Sequence, residues 1–279
     1  MKTQTNRVDK LRETISTPNV AVLTAIVALA MAASCGQAQT SVLHYSFPDS
    51  WDGSGATVLD LSGAGNNADV KATLALAPTV PSWATSGSQS INTSSGSLLT
   101  SATMLLDNAS IAAATGFRFD VSFLWDGTDS ESWGHVQKII DYAGTESLQL
   151  VTSAGEAALS FRFSDSTDVL TTTIQPNTWY HVTALFDTGG NAVDGDGSLA
   201  GTASMIVNGG STLSGAAIKS NFGDSLDRGI GVGQLALASH LVFFNGLIYD
   251  PQVTLVPEPT SLTLLGLGGL VMLARRKKA

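Results

Sequence analysis

Phe117, Phe119, Val121, Phe123 and Trp125 alternate along the chain with Arg118, Asp120, Ser122 and Leu124. Successive side chains of an extended strand point to opposite faces, so this stretch carries one strongly apolar face that must be covered. Leu159, Phe161 and Phe163 repeat the pattern, with Ser160 and Arg162 between them. From Ser41 to Leu255 no apolar run of helical period is convincingly long. Short stretches rich in β-branched and aromatic residues occur instead, separated by Gly, Ser, Asn and Asp. The best strands are predicted at 42–47, 117–125, 136–142, 147–151, 157–163, 178–186, 203–207 and 241–249. Period-two strands in such number predict an all-β domain over 41–255, two antiparallel sheets packed as a jelly-roll sandwich.

Charge narrows the range of partners. The chain has 14 Lys+Arg against 23 Asp+Glu, a formal net charge of −9, which argues against nucleic acid as a partner because such binding rests on a basic footprint. With 43% hydrophobic and only 13% charged residues, the chain is too apolar for an acidic disordered segment. The single cysteine, Cys35, excludes intrachain disulfides and a Cys-clustered zinc site.

The two ends read as addresses. Lys2, Arg7, Lys10 and Arg12 precede an apolar run over 20–33, and Gly36-Gln37-Ala38 follows with the small-x-small pattern of signal cleavage. A signal peptide is therefore expected over 1–38, with the mature chain starting near Gln39. A competing reading takes Ala32-Ala33-Ser34-Cys35 as a loose lipoprotein box, although the usual Leu three residues ahead of the cysteine is missing. At the other end, Val256-Pro257-Glu258-Pro259 leads into an apolar stretch over 260–274 and then Arg275-Arg276-Lys277-Lys278. Such a stretch rises about 22 Å as a helix, short of the roughly 30 Å hydrocarbon core, so it predicts a short transmembrane helix helped by snorkelling of the basic tip. Basic clusters outside both apolar runs hold both ends in the cytoplasm and leave the middle outside.

Motif, apolar helix and basic tip over 256–279 together resemble the PEP-CTERM sorting signal of Gram-negative bacteria. The resemblance implies transient anchoring in the inner membrane, recognition by an exosortase-type membrane protease near Pro257-Glu258-Pro259, and delivery to the cell surface or extracellular matrix. The alternative is a plain C-terminal anchor. Within the middle region, His44-Tyr45-Ser46-Phe47 and then Leu59-Asp60-Leu61-Ser62-Gly63-Ala64-Gly65-Asn66-Asn67 resemble the opening strand and turn of LamG-like, concanavalin A-type lectin/glucanase jelly rolls. Thr178-Trp179-Tyr180-His181-Val182, Met205-Ile206-Val207-Asn208-Gly209 and Phe244-Asn245-Gly246-Leu247-Ile248-Tyr249-Asp250 are similar to later strands of that family, in its order. The resemblance implies an architecture, and one architecture hosts many activities.

Laminarinase-type hydrolases of this fold place two carboxylates on one sheet face through Glu-x-Asp-x-x-Glu. None of Glu131, Glu146, Glu156 and Glu258 has Asp two residues later, and neither Gly-x-Ser-x-Gly nor His-Glu-x-x-His occurs. No catalytic residue is therefore assigned. His44 and His181 fall in strand motifs and read as packing residues. Asp187, Asn191, Asp194 and Asp196 lie in a glycine-rich loop whose closely spaced oxygens suit calcium, and the Asp60/Asn66 turn is a second candidate. The alternative for each is Asp and Gly used for turn geometry. Trp51, Trp83 and Trp133 sit in polar, turn-rich surroundings and are candidates to stack on sugar C–H faces, against ordinary anchoring of loops in the core. Trp125 and Trp179, on strong strands, are expected in the core, and 86–97, rich in Ser, Thr, Asn and Gly, is expected as a surface edge strand or loop.

These observations predict an exported, surface-sorted, non-enzymatic LamG-like domain that binds polysaccharide, with calcium as a candidate cofactor. The alternatives are a polysaccharide-active lyase or glycoside hydrolase of the same fold and a purely structural surface protein. Between Ser41 and Leu255 the charge is about −14, an acidic surface suited to attracting divalent cations.

Overall fold

A computed structural model of the protein describes residues 40–100, 114–129, 135–142, 146–153, 155–163, 167–219, 229–234 and 243–256. The expected signal peptide with Gly36 and Ala38, the C-terminal helix, and Trp133 lie outside the described residues. The described strands are β1 (Thr40–His44), β2 (Thr57–Val58), β3 (Ala68–Ala72), β4 (Ala75–Ala77), β5 (Ser90–Asn92), β6 (Gly96–Thr100), β7 (Gly116–Trp125) and β8 (Val136–Tyr142). They continue with β9 (Glu146–Ser153), β10 (Glu156–Phe163), β11 (Thr167–Ile174), β12 (Trp179–Asp187), β13 (Leu199–Val207), β14 (Leu213–Lys219), β15 (Ile230–Val232) and β16 (Gly246–Val256).

They form two eight-stranded sheets. The first has the order β14-β13-β12-β7-β16-β5-β4, with β1 also paired to β16, and the second β11-β10-β9-β8-β15-β6-β3-β2. The fold is thus an all-β, antiparallel two-sheet jelly-roll sandwich. Its core lies where the alternation requires: Phe117, Phe119, Val121, Phe123 and Trp125 of β7 are fully buried. Across the sandwich, Phe161 of β10 meets Phe119 edge-on with ring centroids 5.9 Å apart, and Phe163 lies 5.0 Å from Phe186 of β12. Such contacts add about 0.5–1.5 kcal/mol per pair to the area each ring removes from water.

Two expectations fail at this level. Trp179 is only half-buried. Val182, Ala184 and Phe186 take the core face of β12, so Trp179, like His181 and Thr183, points the other way. The 86–97 segment is a surface loop only at its start, where Ser86 and Gly87 are exposed; β5 lies between β4 and β16, and Ser90, Ile91 and Thr93 are fully buried. Two of its hydroxyls are satisfied inside by backbone carbonyls, Ser90 Oγ donating to Thr79 O at 2.7 Å and Thr93 Oγ1 to Phe244 O at 3.0 Å.

Candidate functional site

The first sheet has a second face, made of the residues that alternate with the core positions. Strand register sets their neighbours. Ser122 on β7 stands between His181 of β12 and Tyr249 of β16, and Asp120 between Thr183 and Gln252. Ser122 Oγ and His181 Nδ1 share a hydrogen bond of 3.1 Å. Thr183 Oγ1 donates to Asp120 Oδ1 at 2.7 Å, and Arg118 Nη2 donates to the same oxygen at 2.8 Å while its Nε lies 2.5 Å from Oδ2. The His181 backbone N–H donates to Asn208 Oδ1 at 2.8 Å, and the Asn208 N–H donates back to His181 O at 2.8 Å. Asn208 is thereby fixed at the border of the same surface.

A bulge in β16 shapes the middle of this face. Between Tyr249 and Gln252 the strand gains one residue over β7. Asp250 takes a left-handed φ of 51°, a conformation Asp tolerates better than most side chains. Its carboxylate is aimed sideways and bridges two strands: His44 Nε2 lies 2.8 Å from Oδ1, and Gln252 Nε2 donates to Oδ2 at 3.1 Å. The hydrogen bond to Asp250 raises the His44 pKa above its ordinary 6.5, burial opposes the shift, and the charges of Asp250 and Asp60 reinforce it. Neither histidine packs in the core. His181 is exposed and His44 is half-buried beside Asp250, which corrects the expectation drawn from their strand motifs.

Residues 78–89, between β4 and β5, wall this face. The loop is pinned by Ala84 N–H to Pro81 O at 3.0 Å, Ser88 N–H to Thr85 O at 3.1 Å and Gln89 N–H to Phe47 O at 2.9 Å. Pro81 is buried, whereas Trp83 is 52% exposed. Trp83, Thr85, Asp120, Ser122, His181 and Asn208 line an open cavity of about 480 Å³, completed by Tyr249, Asp250 and Gln252. One flat aromatic face thus stands over a floor of hydroxyl, amide, carboxylate and imidazole groups. This is the makeup of a site for a polyhydroxylated ligand, since the indole covers apolar C–H surface while the polar floor satisfies hydroxyls.

Trp51, expected as a second exposed indole, is 6% exposed and belongs to the core, where Phe47 and Tyr45 surround the same turn. It offers no face to a ligand. The Asp60/Asn66 turn is filled by the protein: Asp60 Oδ1 accepts from the backbone of His44 and Ser62, both at 2.9 Å, and Oδ2 from Ser62 Oγ at 2.7 Å and Asn66 N–H at 2.9 Å. Asn66 Nδ2 donates to Val42 O at 2.5 Å, and its carbonyl accepts from the buried Tyr45 hydroxyl at 2.6 Å.

In the other calcium candidate, Asp187 Oδ1 accepts from Gly189 N–H at 2.8 Å and Asp196 Oδ1 from Ser198 N–H at 2.9 Å. The Ser198 bonds hold the Asp196 carboxyl below its ordinary range. Asp194 Oδ2 accepts weakly from Ser198 Oγ at 3.4 Å, and Asn191 Nδ2 donates to Ala200 O at 3.1 Å. Among the described residues no three His, Cys, Asp or Glu side chains converge on a point that could hold a metal. In both loops the carboxylates accept hydrogen bonds from their own turns.

The polar side of the site was readable only in part. Asp120 and Ser122 occupy the polar positions of the alternating 117–125 stretch, which marks their face. Asp250 and Gln252 depend on a bulge, and the 78–89 wall depends on long-range packing, so they carry no comparable local signal.

Residues 255–278 match the model of the PEP-CTERM protein-sorting motif. No curated protein matches the chain. Among solved structures, the binding domain of botulinum neurotoxin DC is 12% identical with a TM-score of 0.45, over 81% of this chain and 50% of that one. A Trypanosoma rangeli sialidase mutant displaying trans-sialidase activity is 11% identical with a TM-score of 0.46, over 88% of this chain and 38% of that one. A Shewanella oneidensis MR-1 protein of unknown function is 12% identical with a TM-score of 0.41, over 88% of this chain and 97% of that one. The chain spans about half the length of the toxin binding-domain chain and less of the sialidase. The motif marks the chain for exosortase processing and sorting to the cell surface. The protein is a two-sheet jelly-roll sandwich that carries a C-terminal PEP-CTERM protein-sorting motif.

Proposed function

We propose that the protein is a non-catalytic, carbohydrate-binding adhesin displayed on a Gram-negative cell surface or in its matrix. In this reading a signal peptide over 1–38 exports it, the 260–274 segment holds it transiently in the inner membrane, and an exosortase-type protease acts near Pro257-Glu258-Pro259. The observation that carries the binding role is Trp83, 52% exposed on a pinned loop beside a cavity floored by Asp120, Ser122, His181 and Asn208. What supports a binding rather than a hydrolytic role is the state of the two carboxylates. Asp120 is paired with Arg118 and Asp250 with His44, so each is held by a basic partner rather than left free as a nucleophile or acid.

The test is binding of the mature chain to immobilised polysaccharides, run beside an assay for reducing ends and unsaturated products. Retention without product release is the expected result. Product release would overturn it in favour of a hydrolase or lyase. The enzymatic reading rests on the Ser122–His181 contact of 3.1 Å, which has the reach of a nucleophile and base. It lacks the third group, since no carboxylate among the described residues hydrogen bonds His181.

A further inference from the structure

A second cavity adjoins the first. It measures about 440 Å³ and is lined by His44, Ser46, Asp49, Ser86 and Ser88 among others, sharing Thr85, Tyr249, Asp250 and Gln252 with the Trp83 cavity. The shared residues border both cavities. Tyr249 is nearly buried, its hydroxyl reaching Ser88 Oγ at 3.5 Å, and Asp250 is drawn down onto His44 and Gln252. Each cavity falls in the size range of a ligand pocket, and together they make one trough from Trp83 to Asp49.

Carboxylates dominate the lining of this trough, and His44, its basic counterpart, is bound to Asp250. Asp49, Asp120 and Asp250 face it, and among the described residues no lysine or arginine lines either cavity. Arg118 is already paired with Asp120, and His44 with Asp250. An anionic sugar would bring its carboxylate against Asp49 and against carboxylates already bound within the protein, with no lysine or arginine on the described lining to receive it, which is a like-charge cost. Neutral hydroxyls, acetamides or an ammonium would meet acceptors instead.

Resting on the carbohydrate-binding reading above, we infer that the ligand is a linear glycan without acidic groups, lying across Tyr249–Asp250 with one unit on Trp83 and the next in the His44/Asp49/Ser88 cavity. The second cavity is a separate subsite that a monosaccharide or chain end does not need to fill.

Calorimetry of the mature chain with cello-, laminari- and chito-oligosaccharides of increasing length, beside alginate oligomers, tests this. Affinity for the neutral series should rise with length, and alginate of matched length should bind at least about tenfold more weakly at low salt, the gap narrowing as salt screens it. Ser86 and Asp49 are exposed, so Ser86→Trp, which fills the second cavity, should abolish the gain with length while leaving the shortest ligands unaffected. Asp49→Lys should narrow the gap between alginate and neutral chains. Alginate binding as tightly as neutral oligomers would overturn the charge selection. Binding that is lost in Trp83→Ala but indifferent to Ser86→Trp at every length would overturn the second subsite and leave the adhesin reading standing. Binding of none of these ligands and of no immobilised polysaccharide would overturn both.

Discussion

His44 Nε2 lies 2.8 Å from Asp250 Oδ1, tying the first strand of the sandwich to the bulge in the last. Two strands 206 positions apart in sequence are joined by a contact whose Asp250 borders both cavities of the candidate site. Loss of the pair therefore affects both stability and the shape of the trough.

The pair makes stability depend on pH. The folded His44 pKa lies above 6.5, chiefly through the Asp250 hydrogen bond. The stabilisation is fully present below the unfolded value and is lost as pH rises through the folded one. Thermal melts of the wild type and His44→Gln at constant ionic strength should differ most below pH 6.5 and converge above it. Parallel curves across the whole range would show that the imidazolium contributes nothing.

Asp60 organises a turn through four accepted hydrogen bonds. Asp60→Ala should lower unfolding free energy by about 1–2 kcal/mol, because partly buried donors lose a charged acceptor. Calcium or EDTA should leave the melting temperature of the wild type unchanged, and so should Asp194→Asn. A calcium-dependent rise abolished by Asp194→Asn would restore the 187–198 loop as a cation site.

The core between the sheets and the outer face of the first sheet should respond differently to truncation. Phe161→Ala, from the ring cluster between the sheets, should cost about 3–5 kcal/mol in denaturant titration. Trp179→Ala, on the half-buried outer face, should cost markedly less. Equal losses would mean that Trp179 is a core residue after all.

These contrasts mark how far the sequence could be read. Alternation at 117–125 and 157–163 fixed which side chains meet in the core, because burial of Phe117 through Trp125 imposes a period that survives any loop arrangement. The strand at 136–142 was legible residue for residue. Strands such as Ala75–Ala77 and Ile230–Val232 are three residues long, too short to show a period, and they exist because β5 pairs with the first and β6 and β8 with the second. Trp83 was readable as an exposed aromatic from its Pro and Ser neighbours, yet the same reasoning selected Trp51, which long-range packing buries. His44, Asp250 and Gln252 come together only through the pairing of β1 with β16, which no local pattern encodes.

The sorting motif makes its own demand on the C-terminus. Substituting Ala for Pro257, Glu258 and Pro259 together should leave the chain uncleaved and retained with the membrane fraction of an exosortase-bearing host. Fractionation and immunoblotting distinguish this from a plain anchor, for which the substitution would change nothing.

The central claim is that the face of the first sheet beneath Trp83 binds glycan. Its most direct measurement is retention of wild type and Trp83→Ala on a panel of immobilised neutral polysaccharides. Loss of a stacked indole should weaken binding by about tenfold or more, with melting temperature little changed because about half of Trp83 is in solvent. Equal retention of the two proteins, or no retention of either, would contradict the account.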